Sequence, residues 1–592
     1  MISSGSAVSS GEETKPFEQT TLGFPGGPFE TGYTAANFDD SIKDSEKFAW
    51  LVGVFWTSKD ASSGSRPGYG VVCTTVNQSN CANADDFVYN APLKVCANAT
   101  EQNCVESLSA SLGGQKEVQA EFLSYSTPSY AFNFVGESKL GIPDGASPSL
   151  WRLPGISHQG GDVFMLNFSG IRENIGNDGD RSPTQLRGTI TPISEKVGSF
   201  QLPVVNALSN DGTKANYFGI ASQSTGDCFR AISESRCALA WPHPNGITYR
   251  ITLRLAKSWK ESNFMYGRLQ DPSIVLAEDR DGNRTLTISA KPIRIPVIRG
   301  WKSNSSLSSE LNEVLDLRWD NNRGGGTLVG KDDGSNKRSG YNWDPDYNKY
   351  NANSFNAYLL WLKEFQDKAS GSKSVWLART LRNDELGTDG KSGRCIFESK
   401  NFAGIITSNA GMYITGPPQF NEKTQSLDYK VASPHYDENG VENLGSYNLL
   451  LDSDVARCIY GFSNAPISGV ISVVDSNGQS RVATTVVNER DGWLYLSANG
   501  FTYSAPTVQV KLTQAQTAPT VTPSTSPTPN ITSTPVPSPS TTALSLPLSK
   551  GATSSGVISQ RKSVICLKGT QRKKFIGKDT SKPSCPKGWK KA

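Results

Sequence analysis

Ten cysteines stand as close sequence neighbours: Cys73/Cys81, Cys96/Cys104, Cys228/Cys237, Cys395/Cys458 and Cys566/Cys585. An even count in neighbouring pairs suits disulfide formation in an oxidising compartment, so all ten are disulfide candidates, with connectivity open. Zinc does not suit them, because no pair has C-x-x-C spacing and the chain holds only three histidines. No metal site and no cofactor is expected. Catalytic motifs are missing too: there is no H-E-x-x-H, no G-x-S-x-G elbow before a helix, no G-x-x-x-x-G-K-[ST] and no G-x-G-x-x-G after a strand. No catalytic residue is therefore assigned.

Carboxylates and aromatics leave one opening. The stretch between Asp320 and Asn353 is rich in Gly, Asn and Asp, with Tyr341, Trp343, Asp344, Asp346 and Tyr347 interleaved. Aromatic faces beside carboxylates and amides can hold sugars, which makes these five glycan-binding candidates; the alternative is a long loop packed back on its own domain. Glu173, Asp178, Asp180, Asp344 and Asp346 are loop carboxylates that could serve a glycosidase, but spacing along the chain does not reveal a facing pair. Asp279, Asp281 and Asn283 in EDRDGNRT resemble part of a calcium loop, yet Asp-Gly between strands reads first as a hairpin turn. His158, His243 and His435 each precede a Gly-containing turn and an aromatic-led strand, a weak repeat of three related hairpins. Their expected role is structural, one ring nitrogen donating to a loop carbonyl, with none near a second.

The elements that must carry these residues are mainly strands. The chain has 592 residues, too long for one core, with abundant Gly and polar turn residues and only 4 Met. The fold expected is mainly β: tandem β-sandwich-like, Ig-like domains with a helix- and loop-rich insertion. Residues 1–40 read as disordered, 41–200 as a first β domain, 201–300 as a second, 301–375 as the insertion and 376–512 as a third. Helices are expected at 307–317 and 354–365, and strands at 426–432, 455–462, 467–474 and 493–498 among others. Residues 513–549 form a Pro/Ser/Thr-rich linker with eight prolines and no charge, unable to pack as a core.

The remainder, 550–592, is a basic two-cysteine tail. From Gly551 onward it holds eleven Lys/Arg and one acid, a net +10, while the rest of the chain sums to −6. Nucleic-acid binding by the body is therefore not expected. Lys568, Arg572, Lys573, Lys574, Lys578, Lys587, Lys590 and Lys591 are the wall-binding candidates, suited to an anionic cell-wall polymer or envelope surface. So small a unit needs a staple, which Cys566 and Cys585 can supply. No transmembrane segment is expected, since no run of about 20 apolar residues occurs. The start lacks a basic, then apolar, leader; a removed leader with Met1 as an internal start is the expected explanation.

The C-x-K-G…C-P-x-G-W-K-K tail behind a Ser/Thr/Pro stalk resembles the tails of exported actinobacterial surface proteins. TSNAGMYITGPPQF, YKVASPHYDENG, VARCIYGFSNAPISG and DGWLYLSANGFTYSAPTVQVKL are similar to a β-rich module of that family, which has no assigned activity. The resemblance covers about 395–512 and 560–592. It implies export and an extracellular, cell-wall-associated location, and it transfers no catalytic residue. Two functions remain open: a non-enzymatic secreted surface protein binding surfaces or glycans, which is preferred, or a secreted polysaccharide hydrolase with carboxylates in 301–375.

Overall fold

Phe264-Met265-Tyr266, Trp376-Leu377-Ala378, Ile405-Ile406 and Leu449-Leu450-Leu451 are apolar at every position. Strands of that kind must be buried on both faces. The computed structural model describes residues 33–38, 54–56, 71–72, 75, 86–126, 135–137, 142–174, 185–198, 204–208, 214–218, 230–233, 235–259, 263–317, 346–347, 352–381, 383–386, 390–399, 402–414, 416–474, 480–481, 484–503, 507–514, 563–568, 571–576 and 590–591. All four runs lie in one central sheet. In order it contains Val163–Asn174, Gln185–Val197, Gly371–Thr380, the first part of Phe264–Glu278, Gly404–Ser408, Leu444–Asp452, Trp493–Thr502 and Thr484–Arg490. The pairing is antiparallel throughout this path except where 264–267 runs parallel to 404–407.

Each face of this sheet meets a different core. Met265, Trp376, Ala378, Ile405 and Leu450 join one buried cluster. Their chain neighbours Tyr266, Leu377, Ile406, Leu449 and Leu451 join another. The first core is closed by an outer sheet of Cys104–Leu112, Ile247–Leu255, Arg284–Ser303 and the second part of Phe264–Glu278. The second core is closed by Ser426–Ala432, Thr507–Gln514 and Ile467–Val474. The body is thus a sandwich with a shared middle layer. Phe264–Glu278 passes between layers at a register shift between Gln270 and Ser273, where Asp271 has φ +51°. A bulge bends a strand, and here the bend moves it from sheet to sheet.

The mainly β, sandwich-like expectation holds, but boundaries at 200, 300 and 375 do not part the sheets. Gln185–Val197 pairs with Gly371–Thr380, Cys104–Leu112 with Ile247–Leu255, and Phe264–Glu278 with Gly404–Ser408. Residues 1–518 form one compact unit and 519–592 another. Nor does disorder cover all of 1–40, because Tyr33–Phe38 pairs with Arg284–Ser303 and buries Ala36 and Phe38. At the far end, pairing of Thr513 with Ser468 carries the last body strand to Gln514, two residues past the expected end of the third β domain at 512.

Residues 455–462, expected as a strand, belong to helix Ser453–Tyr460 and its C-terminal turn. The Asp452 side chain accepts from the backbone N–H groups of Asp454 and Val455, and Gly461 ends the helix at φ +71°. Val455 and Ile459, one turn apart, face the second core. The expected insertion helices are Ser309–Leu317 and Ala352–Glu364. Leu311, Phe355, Tyr358 and Trp361 from them cover Phe38 and Ile298.

Helix Ala352–Glu364 closes in a Schellman turn. The Gln366 N–H donates to Lys363 O and the Asp367 N–H to Leu362 O, with φ of +55° and +56° at the two residues. A left-handed backbone disfavours a Cβ by about 1 kcal/mol or more. Gln366→Gly is therefore expected to stabilise the body by about 0.5–1 kcal/mol, read as a higher urea midpoint. A lower midpoint would show that the glutamine side chain contributes more than the backbone relief.

Candidate functional site

The cysteine pairing is as expected wherever the structure describes it. Cys96 is bonded to Cys104, closing a loop at the start of Cys104–Leu112, and Cys395 to Cys458. Cys237 is also disulfide-bonded, and no described cysteine is free. Cys73, Cys81, Cys228, Cys585 and the Cys566 side chain lie outside the described residues. The 395–458 bond joins helix Lys391–Glu398 to helix Ser453–Tyr460, both seated on the second core through Ile396, Val455 and Ile459.

The three histidines are held in three different ways. His158 accepts the Gly160 N–H at Nδ1 (3.0 Å), so Nε2 donates to Val163 O (3.0 Å), the expected arrangement. Burial lowers its pKa. His243 instead meets the Tyr249 hydroxyl at 2.9 Å, and burial pushes its pKa down to about 3. The two rings are not isolated from each other as expected. His158, Phe164, Tyr249 and His243 form one edge-to-face ladder with centroid steps of 5.2, 5.8 and 5.5 Å. His435 places Nδ1 against the Asp367 carboxylate, whose other oxygen accepts the His435 N–H at 3.0 Å. This contact fastens the 434–443 turn to the left-handed end of helix Ala352–Glu364. Nor do the three aromatic-led strands form three equal modules, since 163–174 and 444–452 lie in the central sheet and 247–255 in an outer one.

The Asp279 turn is a hairpin device. Asp279 Oδ1 accepts the N–H groups of Asp281 and Asn283, both at 2.9 Å, and Oδ2 accepts Asn283 Nδ2 at 3.1 Å. Asp437 does the same for Asn439 and Val441 at 2.8 Å. Both aspartates thus cap a five-residue Asp-x-[Asp/Asn]-Gly turn. Among the described residues no group of three or more His, Cys, Asp and Glu side chains could hold a metal ion.

The sugar-binding candidates are not brought together in view. Tyr341, Trp343 and Asp344 lie outside the described residues, as do the loop carboxylates Asp178 and Asp180 and the side chain of Glu173. Asp346–Tyr347 is a short strand parallel to Met412–Ile414, described in its backbone.

Sequence reasoning missed a cationic cluster inside the body. Arg187, Arg268 and Arg379 are 6, 0 and 3% exposed. Arg187 and Tyr266 are the cross-strand neighbours of Arg379 on either side. An arginine inside an apolar strand run, as in FMYGRL and VWLART, was the available signal.

In the tail, strand Ser563–Lys568 lies between Gln571–Ile576 and Lys590–Lys591. Leu567 pairs with Arg572 on one side and Lys590 on the other; Cys566 pairs with Lys573 and Lys591. The backbone thus sets four cationic residues about two central positions, the outer strands roughly 10 Å apart. Lys578 and Lys587 lie outside the described residues. No protein-family model matches this chain, and no curated protein matches it.

Proposed function

We propose that this is a non-enzymatic secreted or cell-surface protein. Its β body serves surface or glycan interaction, and its cationic tail attaches it to an anionic polymer of the cell envelope. The observation that carries this reading is the tail register, which gathers Arg572, Lys573, Lys590 and Lys591 around Cys566 and Leu567 in a segment of net charge +10. The disulfides of the body support an oxidising, extracellular setting. The tail's resemblance to exported actinobacterial proteins supports the same location.

Attraction of this kind is screened by salt, since the Debye length falls from about 10 Å at 0.1 M to about 3 Å at 1 M. The full chain is expected to bind isolated actinobacterial cell walls at low salt and to elute as salt rises. Replacing Arg572, Lys573 and Lys574 together by Gln should move elution to lower salt without lowering the melting temperature of the body. Wall binding indifferent to salt, or unchanged in the triple variant, would remove electrostatic attachment from the reading.

A further inference from the structure

Strand Trp493–Thr502 directs Leu494, Leu496 and Ala498 into the second core. Its alternate positions, Trp493, Tyr495, Ser497 and Asn499, therefore share the opposite face of the central sheet. Trp493 and Tyr495 rest against the first core, with the Trp493 ring 6.2 Å from Phe402, and remain partly exposed. The next strand sets Asn488 opposite Tyr495 and Arg490 opposite Trp493, both exposed. The Arg490 guanidinium lies 5.1 Å over the Tyr495 ring.

A hydrogen-bond chain runs inward from the same row. Asn499 Nδ2 donates to Ser497 Oγ, which donates to Asn448 Oδ1, both at 2.8 Å; Asn448 Nδ2 then donates to Thr407 Oγ1 at 3.3 Å. Asn448 and Thr407 are 5 and 0% exposed. The buried end fixes the direction of every group in the chain, so Asn499 reaches solvent already oriented. Two aromatic rings, a hydroxyl and two amides stand along two adjacent strands, with successive groups on one strand roughly 7 Å apart.

Charge decides what such a face fits. Arg490 pairs with Asp491 at 3.4 Å; the Asp452 carboxylate opposite Trp493 is engaged by the Asp454 and Val455 N–H groups at 2.9 and 3.1 Å; the remaining groups named are neutral. A face whose charges are already paired or capped, carrying ring surfaces and amide donors and acceptors, complements a chain of neutral sugars. Such a chain offers C–H faces for stacking and hydroxyls for hydrogen bonds. We propose that the face formed by Trp493, Tyr495, Ser497, Asn499, Asn488 and Arg490 is a binding site for a neutral glycan chain. This rests on the reading of the body as a glycan-interacting unit and gives that reading a location distinct from the tail.

The test is calorimetric titration of the full chain with hexamers of β-linked glucose and of N-acetylglucosamine, and with a uronic acid hexamer. Salt of about 0.5 M suppresses the tail. A neutral hexamer should bind in preference to the uronic one. Trp493→Ala should weaken it by about tenfold, and Asn488→Ala and Asn499→Ala severalfold each. Lys511→Ala, on the second outer sheet, should leave it unchanged. Should Trp493→Ala fail to fold, the two exposed asparagines decide. Neutral binding that survives all the substitutions on this face overturns this site while leaving the body a glycan binder. Preference for the uronic hexamer also overturns it. No binding of any hexamer overturns both the site and the glycan reading, whatever the tail does on cell walls.

Discussion

Removing the Cys395–Cys458 disulfide, by replacing both residues with Ser, is expected to destabilise the body by about 4 kcal/mol. The bond spans 63 residues, and in the chain-entropy view a closed loop of that length restricts the unfolded chain by about that amount. The corresponding figure for Cys96–Cys104, which spans 8, is about 2.5 kcal/mol. Position adds to the difference. Helix Lys391–Glu398 has eight residues, too few to persist alone, and its Gly390 cap makes no side-chain hydrogen bond. It is held by burial of Ile396 and by the bond to its neighbour. Hydrogen exchange in the double variant should therefore speed up first in 391–398 and then in 453–460, before the central sheet opens. A loss of stability below about 1 kcal/mol, or exchange unchanged in 391–398, would show that packing alone seats these helices.

The sequence disclosed local pairings and local periods. The neighbouring cysteines 96/104 and 395/458 were legible from spacing, because short loops and one docked helix pair bring them together. Ile467–Val474 and the middle of Ser426–Ala432 were legible from alternation, since one face of each meets a core while Ser468, Val470 and Lys430 on the other are exposed. The shared middle layer was not. Apolar runs such as Leu449–Leu451 say that both faces are buried, but not which distant strands cover them. Hence the body read as a series of modules, although Gly404–Ser408 lies parallel to a strand begun at Phe264. The 453–460 helix was misread because VARCIYGF is short enough to suit either period. Asp452-Ser453-Asp454 before it and Gly461 after it were the cap signals that favoured a helix. Of the two faces proposed to bind, the tail was legible as composition, while its pairing about Cys566 and Leu567 needed the register. The Trp493, Tyr495, Ser497, Asn499 row has a plain two-residue period. Its significance appears only once Leu494 and Leu496 are seen to enter a core, so that the row must lie on the other face.

The second large effect is expected at Arg379. Its guanidinium holds Glu385 through two hydrogen bonds of 2.8 and 3.1 Å, and the two side chains are only 4 and 8% exposed. Glu385 lies on the short helix Asn383–Leu386, so the pair ties that segment to the central sheet. Space there is tight: a Cβ at Gly416 would come 2.5 Å from the Glu385 carbonyl oxygen. The Tyr266 ring has its centroid 5.7 Å from the Arg379 guanidinium and 5.5 Å from that of Arg268. It also stacks on Tyr413 at 4.1 Å. Arg268 is held in another way, donating to the carbonyls of Ser408 and Ala410 at 2.7 Å with the Tyr413 ring 4.3 Å away. A buried carboxylate stripped of its guanidinium is far less stable than the pair, so Arg379→Ala should cost about 3–5 kcal/mol. Arg379→Leu combined with Glu385→Leu should recover most of that loss, because both charges leave together. Urea unfolding of Arg379→Leu, Glu385→Leu and the double variant completes the cycle. A double variant as unstable as the sum of the singles would mean that the two side chains act independently. The bidentate pair would then not be what fastens the 383–386 segment to the sheet.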